Sequence, residues 1–239
     1  MTYLKHHMEM LRTVAQALGS DICEQMTFVG GCTTGLLLTD EFTREQVRYT
    51  DDVDVIVHVM GYADYARLQN QLRQRGFKDS DPTMGDGEPV CAMRLESLRV
   101  DFMPDDEAVL GFSNRWYKDA MKSATPYHLS ETLTINLVDP VYFLATKLEA
   151  YKGRGEGDAL SSRDIEDFLH LVDGRPELLE EVRAADTGVQ QYIADESGRL
   201  LSDSNFEYVV VSQAGGSTDR EALLFERLEA LSTLMDPRR

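Results

Sequence analysis

Three aspartates open the stretch YTDDVDVIVHV, residues 49–59. The run that follows them is β-branched and reads as a strand entering a core. Side chains alternate along a strand. Val53, Val55 and Val57 therefore share one face, and Asp52, Asp54, Ile56 and His58 the other. Neighbouring carboxylates repel and shift each other's pKa unless a cation lies between them. A solvated acidic strand start is the competing reading, and Asp51, on the opposite face, reads as a turn residue. A third acid, Asp101, sits in the middle of SLRVDFMP, where aspartate is disfavoured in a sheet. If the two strands are neighbours, three carboxylates converge. Hard oxygen ligands of that kind suit Mg²⁺ or Mn²⁺. Two such ions activate an attacking hydroxyl and stabilise a leaving pyrophosphate. On this reading the acids are neutralised by metal and not by a protein cation.

The elements that must position these acids are legible from periodicity. Residues 3–18 carry apolar side chains at helical spacing up to Gly19. MTFVGG is a short strand ending on Gly30 and Gly31, and CTTGLLLTD is a helical turn or short helix. Glycines let a backbone approach phosphate, and helix N-terminal amides point at it. Gly30, Gly31 and Thr33 are thus candidate phosphate holders, against an ordinary turn. YADYARLQNQLRQRGF is an amphipathic helix, DPTMGDGEP a loop, and VCAMRLES and LRVDFMP two strands with a tight turn near Ser97. A helix over 114–123 and a strand LTINLV follow. From Pro140 onward the pattern is helical only, with VSQAGGSTD as a hinge before the last helix. The expected fold class is α/β (α+β): a mixed-sheet core over residues 1–139, then a helical region over 140–239.

The glycine pair after a strand, D-V-D on the next strand and an isolated Asp on a later one resemble the DNA polymerase β-type nucleotidyltransferase superfamily. Gly30 and Gly31 match its glycine pair, Asp52 and Asp54 its two-carboxylate motif, and Asp101 its third acid. Twenty residues separate Gly31 from Asp52, more than is usual there, so TDEFTREQVRYT reads as an insertion. FLATKLEAYKGRGEGDALSSRDIEDFLHLV is similar to the AbiEii and MenT-type branch, which has a lysine on the first helix of its C-terminal region and an acid on a following helix. Lys147 matches the lysine, and the acid maps to Asp164 first and Asp167 second.

The resemblance implies a metal-dependent transfer of a nucleoside monophosphate from an NTP or dNTP to an acceptor hydroxyl. Asp52, Asp54 and Asp101 would be metal ligands, with Asp101 also activating the hydroxyl. Lys147 and Arg154, seven residues apart along one edge of an apolar stripe, would reach phosphate oxygens, against a reading as solvated basic residues. Asp164 would serve the nucleotide or, with Ser161 as N-cap, a helix start. Trp116 in GFSNRWY would line a base pocket or anchor the core, and His58 reads as a satisfied edge histidine.

Composition limits the partners. A net charge of −18 argues against gripping a long nucleic-acid backbone. The resemblance implies a toxin or antiphage-defence enzyme acting on a tRNA 3′ end. The alternatives are synthesis of a short oligonucleotide signal, as in Hailong-type systems, nucleotidylation of a protein, or a non-catalytic antitoxin-like binding module. A cognate antitoxin, an effector protein or a second copy of the chain are the expected protein partners. No leader or membrane-spanning run is read, and Cys23, Cys32 and Cys91 lack metal-ligand spacing, so a reduced, cytoplasmic protein is expected.

Overall fold

The computed structural model describes residues 2–80, 89–154 and 158–235. In chain order the elements are α1 (Tyr3–Cys23), β1 (Met26–Val29), a 3-10 turn (Gly31–Thr33), α2 (Thr34–Leu37), α3 (Glu41–Arg44), β2 (Asp52–Val57) and α4 (Tyr62–Gln74). Then come β3 (Phe77–Asp79), β4 (Ala92–Leu95), β5 (Leu98–Pro104), α5 (Glu107–Leu110), α6 (Tyr117–Ser123), β6 (Thr125–Ser130) and β7 (Leu133–Leu137). The helical part follows as α7 (Pro140–Arg154), α8 (Arg163–Gly174), α9 (Leu178–Ala184), α10 (Thr187–Ser202), α11 (Phe206–Ala214) and α12 (Thr218–Ser232).

The chain divides into two compact units. The first comprises Met1–Thr33 and Tyr49–Asp139, and the second Thr34–Arg48 and Pro140–Arg239. Residues 34–48, read from sequence as part of the first half, fold with the helices instead.

The first unit is built on a mixed sheet of order β3-β4-β5-β2-β1-β7-β6. β2 runs antiparallel to β1 and parallel to β5, while β1 runs parallel to β7. Burial explains the strands at its centre. Phe28, Val53, Val55, Val100 and Phe102 are fully buried, and the register places all five on one face of the central ladder, which is the face the core covers. Helix α1 packs Leu11, Val14 and Leu18 into this core. Its regular helix breaks at Gly19, which takes a positive φ of 68° and redirects the last turn. The turn between β4 and β5 passes through Glu96, at a positive φ of 54°. Two strands escape the sequence reading. β3 is only three residues long and exposes two of them, and β6 is mostly exposed, so neither shows a clear apolar alternation.

In the second unit α8 is buried along nearly its whole length. The 34–48 segment is fastened to its C-terminal end. Gly174 O accepts the amides of Thr39 and Asp40, both at 3.0 Å. A Cβ at Gly174 would lie 2.7 Å from Thr43 Cγ2, so only glycine allows that approach. Asp40 caps α3 through Thr43 N at 2.8 Å. The expected hinge at VSQAGGSTD is a tight turn: Gly215 closes α11 in the left-handed region, and Ser217 caps α12 through Arg220 N at 3.3 Å. Helix α12 docks on α8. Leu224, Leu228 and Leu231 are buried, and Arg227 donates to Val172 O at 2.9 Å. Among the described residues no helix is long and apolar enough to cross a membrane. Most of the DPTMGDGEP loop lies outside the described residues.

Candidate functional site

The acids of the first unit owe their arrangement to strand register. β2 and β5 pair in parallel with Asp52 opposite Arg99, Val53 opposite Val100 and Asp54 opposite Asp101. Residues facing each other across a ladder project to the same side. Asp52, Asp54 and Asp101 therefore share one face, with the valines turned to the other. Asp51 is exposed just before the strand.

β1 supplies the floor beneath these acids. Val29 pairs with Asp54, and the next residue, Gly30, has φ of 81°. A Cβ built on Gly30 would run into the Asp54 carboxyl group, 2.6 Å from its Cγ. Glycine is thus required twice at this position, by conformation and by space. The turn that follows is closed by Thr33, whose amide and hydroxyl both donate to Gly30 O, at 3.1 and 2.8 Å. Gly31, Cys32 and Thr33 are buried. Thr33, read as a phosphate ligand, thus directs its hydroxyl at the turn that holds Gly30 in place.

The expectation that no protein cation serves the acids is corrected by Arg99. Its guanidinium pairs with Asp52 through Nη2, and its Nε lies 3.4 Å from Asp101 Oδ1. Thr50 adds a short hydroxyl bond to Asp52. Burial works to lower the Arg99 pKa, but Asp101, Asp52, Asp54 and Asp51 together raise it above its ordinary value. The local signal existed in sequence: Arg99 lies two residues before Asp101, hence on the same strand face. Two further residues feel the same field. Burial first, and then Asp101 and Asp54, push the Cys91 thiol up to about 12. Burial, Cys91 and Asp101 raise the Tyr65 phenol, which donates to Phe102 O at 2.9 Å.

The expected three-way convergence is therefore incomplete. Among the described residues no group of three or more His, Cys, Asp or Glu side chains is gathered as a metal-holding cluster. Asp54 and Asp101 stand as a register pair, and Arg99 reaches both Asp52 and Asp101, with Thr50 also bonded to Asp52. The donor chemistry still fits a divalent cation. The donors are hard carboxylates on adjacent strands, and a glycine leaves the space that Asp54 uses.

Weaker candidates resolve within this unit. Trp116 is buried, with its amide donating to Asn114 Oδ1 at 3.1 Å and Arg115 stacked 4.9 Å from its ring, so it anchors the core. His58 is exposed and bonded through Nδ1 to the buried Asp105 at 2.7 Å.

In the second unit, Lys147 and the two α8 acids form a buried ion cluster. Lys147 Nζ lies 2.7 Å from Asp167 Oδ2 and 3.2 Å from Asp164 Oδ1. Arg48 grips Asp167 with a two-pronged contact, Nε to Oδ1 and Nη2 to Oδ2, both at 2.9 Å. Thr34 donates to Asp167 Oδ1 at 3.3 Å. Burial alone would raise the Asp167 pKa, but Lys147 and Arg48 outweigh it and bring it down to about 2. Of the two acids, Asp167 is wholly buried and lies nearer to Lys147, while Asp164 meets the same ammonium at the longer distance. The helix start is also corrected, since Ser162 and not Ser161 caps α8, through Ile165 N at 3.3 Å. Arg48 comes from the segment read as an insertion and Thr34 from the short helix before it, and no local pattern marks either. The Arg154 side chain lies outside the described residues.

No protein-family model and no curated protein matches the chain. Among solved structures, its fold is that of a nucleotidyltransferase-like protein. The crystal structure of an antigenic nucleotidyltransferase-like protein from Paracoccidioides brasiliensis aligns over 92% of this chain and 93% of that one, with a TM-score of 0.51 and 15% identity. At that identity the likeness is one of fold.

Proposed function

We propose that the chain is a metal-dependent nucleotidyltransferase that moves a nucleoside monophosphate from an NTP to an acceptor hydroxyl and releases pyrophosphate. The observation that carries this reading is the register of β2 and β5, which sets Asp54 opposite Asp101 with Asp52 on the same face. Fold likeness to a nucleotidyltransferase-like protein supports it. Asp54 and Asp101 would hold the divalent cation, and Asp52 would join them when Arg99 releases it. Bound there, Mg²⁺ or Mn²⁺ would supply Lewis acidity toward the phosphoryl oxygens. In the transfer, the acceptor oxygen bonds to the α-phosphorus, the bond to the bridging oxygen breaks, and pyrophosphate departs with that oxygen. Asp101 takes up the hydroxyl proton. Gly30 keeps Asp54 in place, and Arg99 is the cation available to the departing phosphates. Lys147 has no phosphate role in this reading, because its ammonium is buried against Asp164 and Asp167. An RNA 3′ hydroxyl, such as that of tRNA, is the acceptor we favour, on the resemblance to the MenT-type branch.

The test is incubation with Mg²⁺ or Mn²⁺ and each labelled NTP or dNTP, with and without tRNA. Label in tRNA, in the protein itself or in a free oligomer identifies the acceptor. Incorporation should fall by about 100-fold or more in Asp54→Ala. Absence of incorporation, or incorporation unchanged by that substitution, overturns the assignment.

A further inference from the structure

We propose that Tyr3, His6 and Tyr49 form a stacking platform for a nucleobase beside the acid cluster. This rests on the nucleotide reading above and adds to it the part of the substrate that the acids cannot recognise. The His6 and Tyr49 rings are parallel, with centroids 5.6 Å apart and planes at 10°. Tyr3 meets Tyr49 edge-on at 5.7 Å. Both tyrosines are left half open to solvent, Tyr3 at 50% and Tyr49 at 53% exposure. A pre-assembled aromatic stack with open rings suits a planar heterocycle, because every base has a π-face.

The platform is tethered to both halves of the candidate site within the first unit. Tyr49 immediately precedes Thr50, which is buried and bonds Asp52. His7, next to His6, offers its carbonyl to Cys32 Sγ at 3.6 Å, joining the start of α1 to the turn after Gly30. The helix side of the platform is not acidic. The first turn of α1 has no acidic residue and carries exposed Lys5, in a chain of net charge −18.

The experiment is equilibrium titration, with Mg²⁺ present, of the full chain and of Tyr49→Ala, Tyr3→Ala and Tyr49→Phe. The ligands are α,β-methylene ATP, an oligoadenylate with a free 3′ hydroxyl, and inorganic tripolyphosphate. Tyr49→Ala should weaken at least one base-bearing ligand by about 5- to 100-fold and leave tripolyphosphate unchanged, while Tyr49→Phe should match the parent. Loss confined to the ATP analogue assigns the platform to the donor base, and loss confined to the oligonucleotide assigns it to the acceptor base. Equal affinities in Tyr49→Ala and parent for both base-bearing ligands overturn the inference and leave the nucleotidyltransferase reading standing. So does a loss that extends equally to tripolyphosphate. A parent chain that binds none of the three overturns the nucleotide reading and this inference with it.

Discussion

Asp52 shows how closely an acidic strand start is supervised. It faces Arg99 across the ladder and takes a hydroxyl from Thr50, while Asp54, two residues on, lies against Gly30. Asp51 has the same side chain but is exposed ahead of the strand. Asp51→Asn should therefore leave nucleotide incorporation within about two-fold of the parent, measured beside Asp54→Ala. Gly30→Ala faces both the positive φ and the collision with Asp54. It should cost about 1–3 kcal/mol in urea unfolding and reduce incorporation as strongly as removal of Asp54. Arg99→Gln leaves the carboxylates without their cation. Because that side chain is one-third exposed, the metal-free stability loss should be modest, about 1 kcal/mol, and Mg²⁺ should restore the melting temperature. A melting temperature that ignores both the substitution and the metal would rule out Arg99 as the neutralising group.

Helix α8 sets the behaviour of the second unit. It is enclosed on most sides, so an acid such as Asp167 that periodicity turns away from the apolar stripe is still buried. Lys147 and Arg48 then hold its pKa at about 2, below the usual carboxylate value. The folded state binds fewer protons than the unfolded chain between those two values. The stabilisation is therefore complete above the unfolded pKa of about 4 and is lost as pH falls toward about 2, on the order of 2–3 kcal/mol in all. Circular dichroism against urea at pH 5 and pH 2.5 should show this drop. In Asp167→Asn that acid limb should flatten, and the variant should already be about 3–5 kcal/mol less stable at pH 7, because two cations lose their main counter-charge. A slope unchanged by the substitution would place the acid sensitivity elsewhere.

At the scale of the molecule, the last helix is part of the helical unit. Leu224, Leu228 and Leu231 are buried, and Arg220 pairs with Asp173. Full burial of three leucines contributes roughly 5–9 kcal/mol, comparable with the stability of a whole domain. A chain ending at Ala214 should accordingly lose the cooperative unfolding of the helical unit by calorimetry. The strand-bearing half and the helical half were legible along the chain, because apolar periods of two and 3.6 are local and strong. The sequence by itself also determined that Asp52 and Asp54 share a face, since a strand's alternation needs no partner. It did not determine that Asp54 and Asp101 stand opposite one another, because register between strands far apart in sequence is set by the assembled sheet. Nor did it place residues 34–48, whose few apolar positions carry no period and whose partners, Asp167 and Gly174, lie more than a hundred residues away. The contact of Arg99 with Asp52 across the ladder, and the joint burial of Lys147 and Asp167, came only with the assembled fold. Charge pairing depends on which side chains the fold brings within a few ångströms, and spacing along the chain does not report that distance.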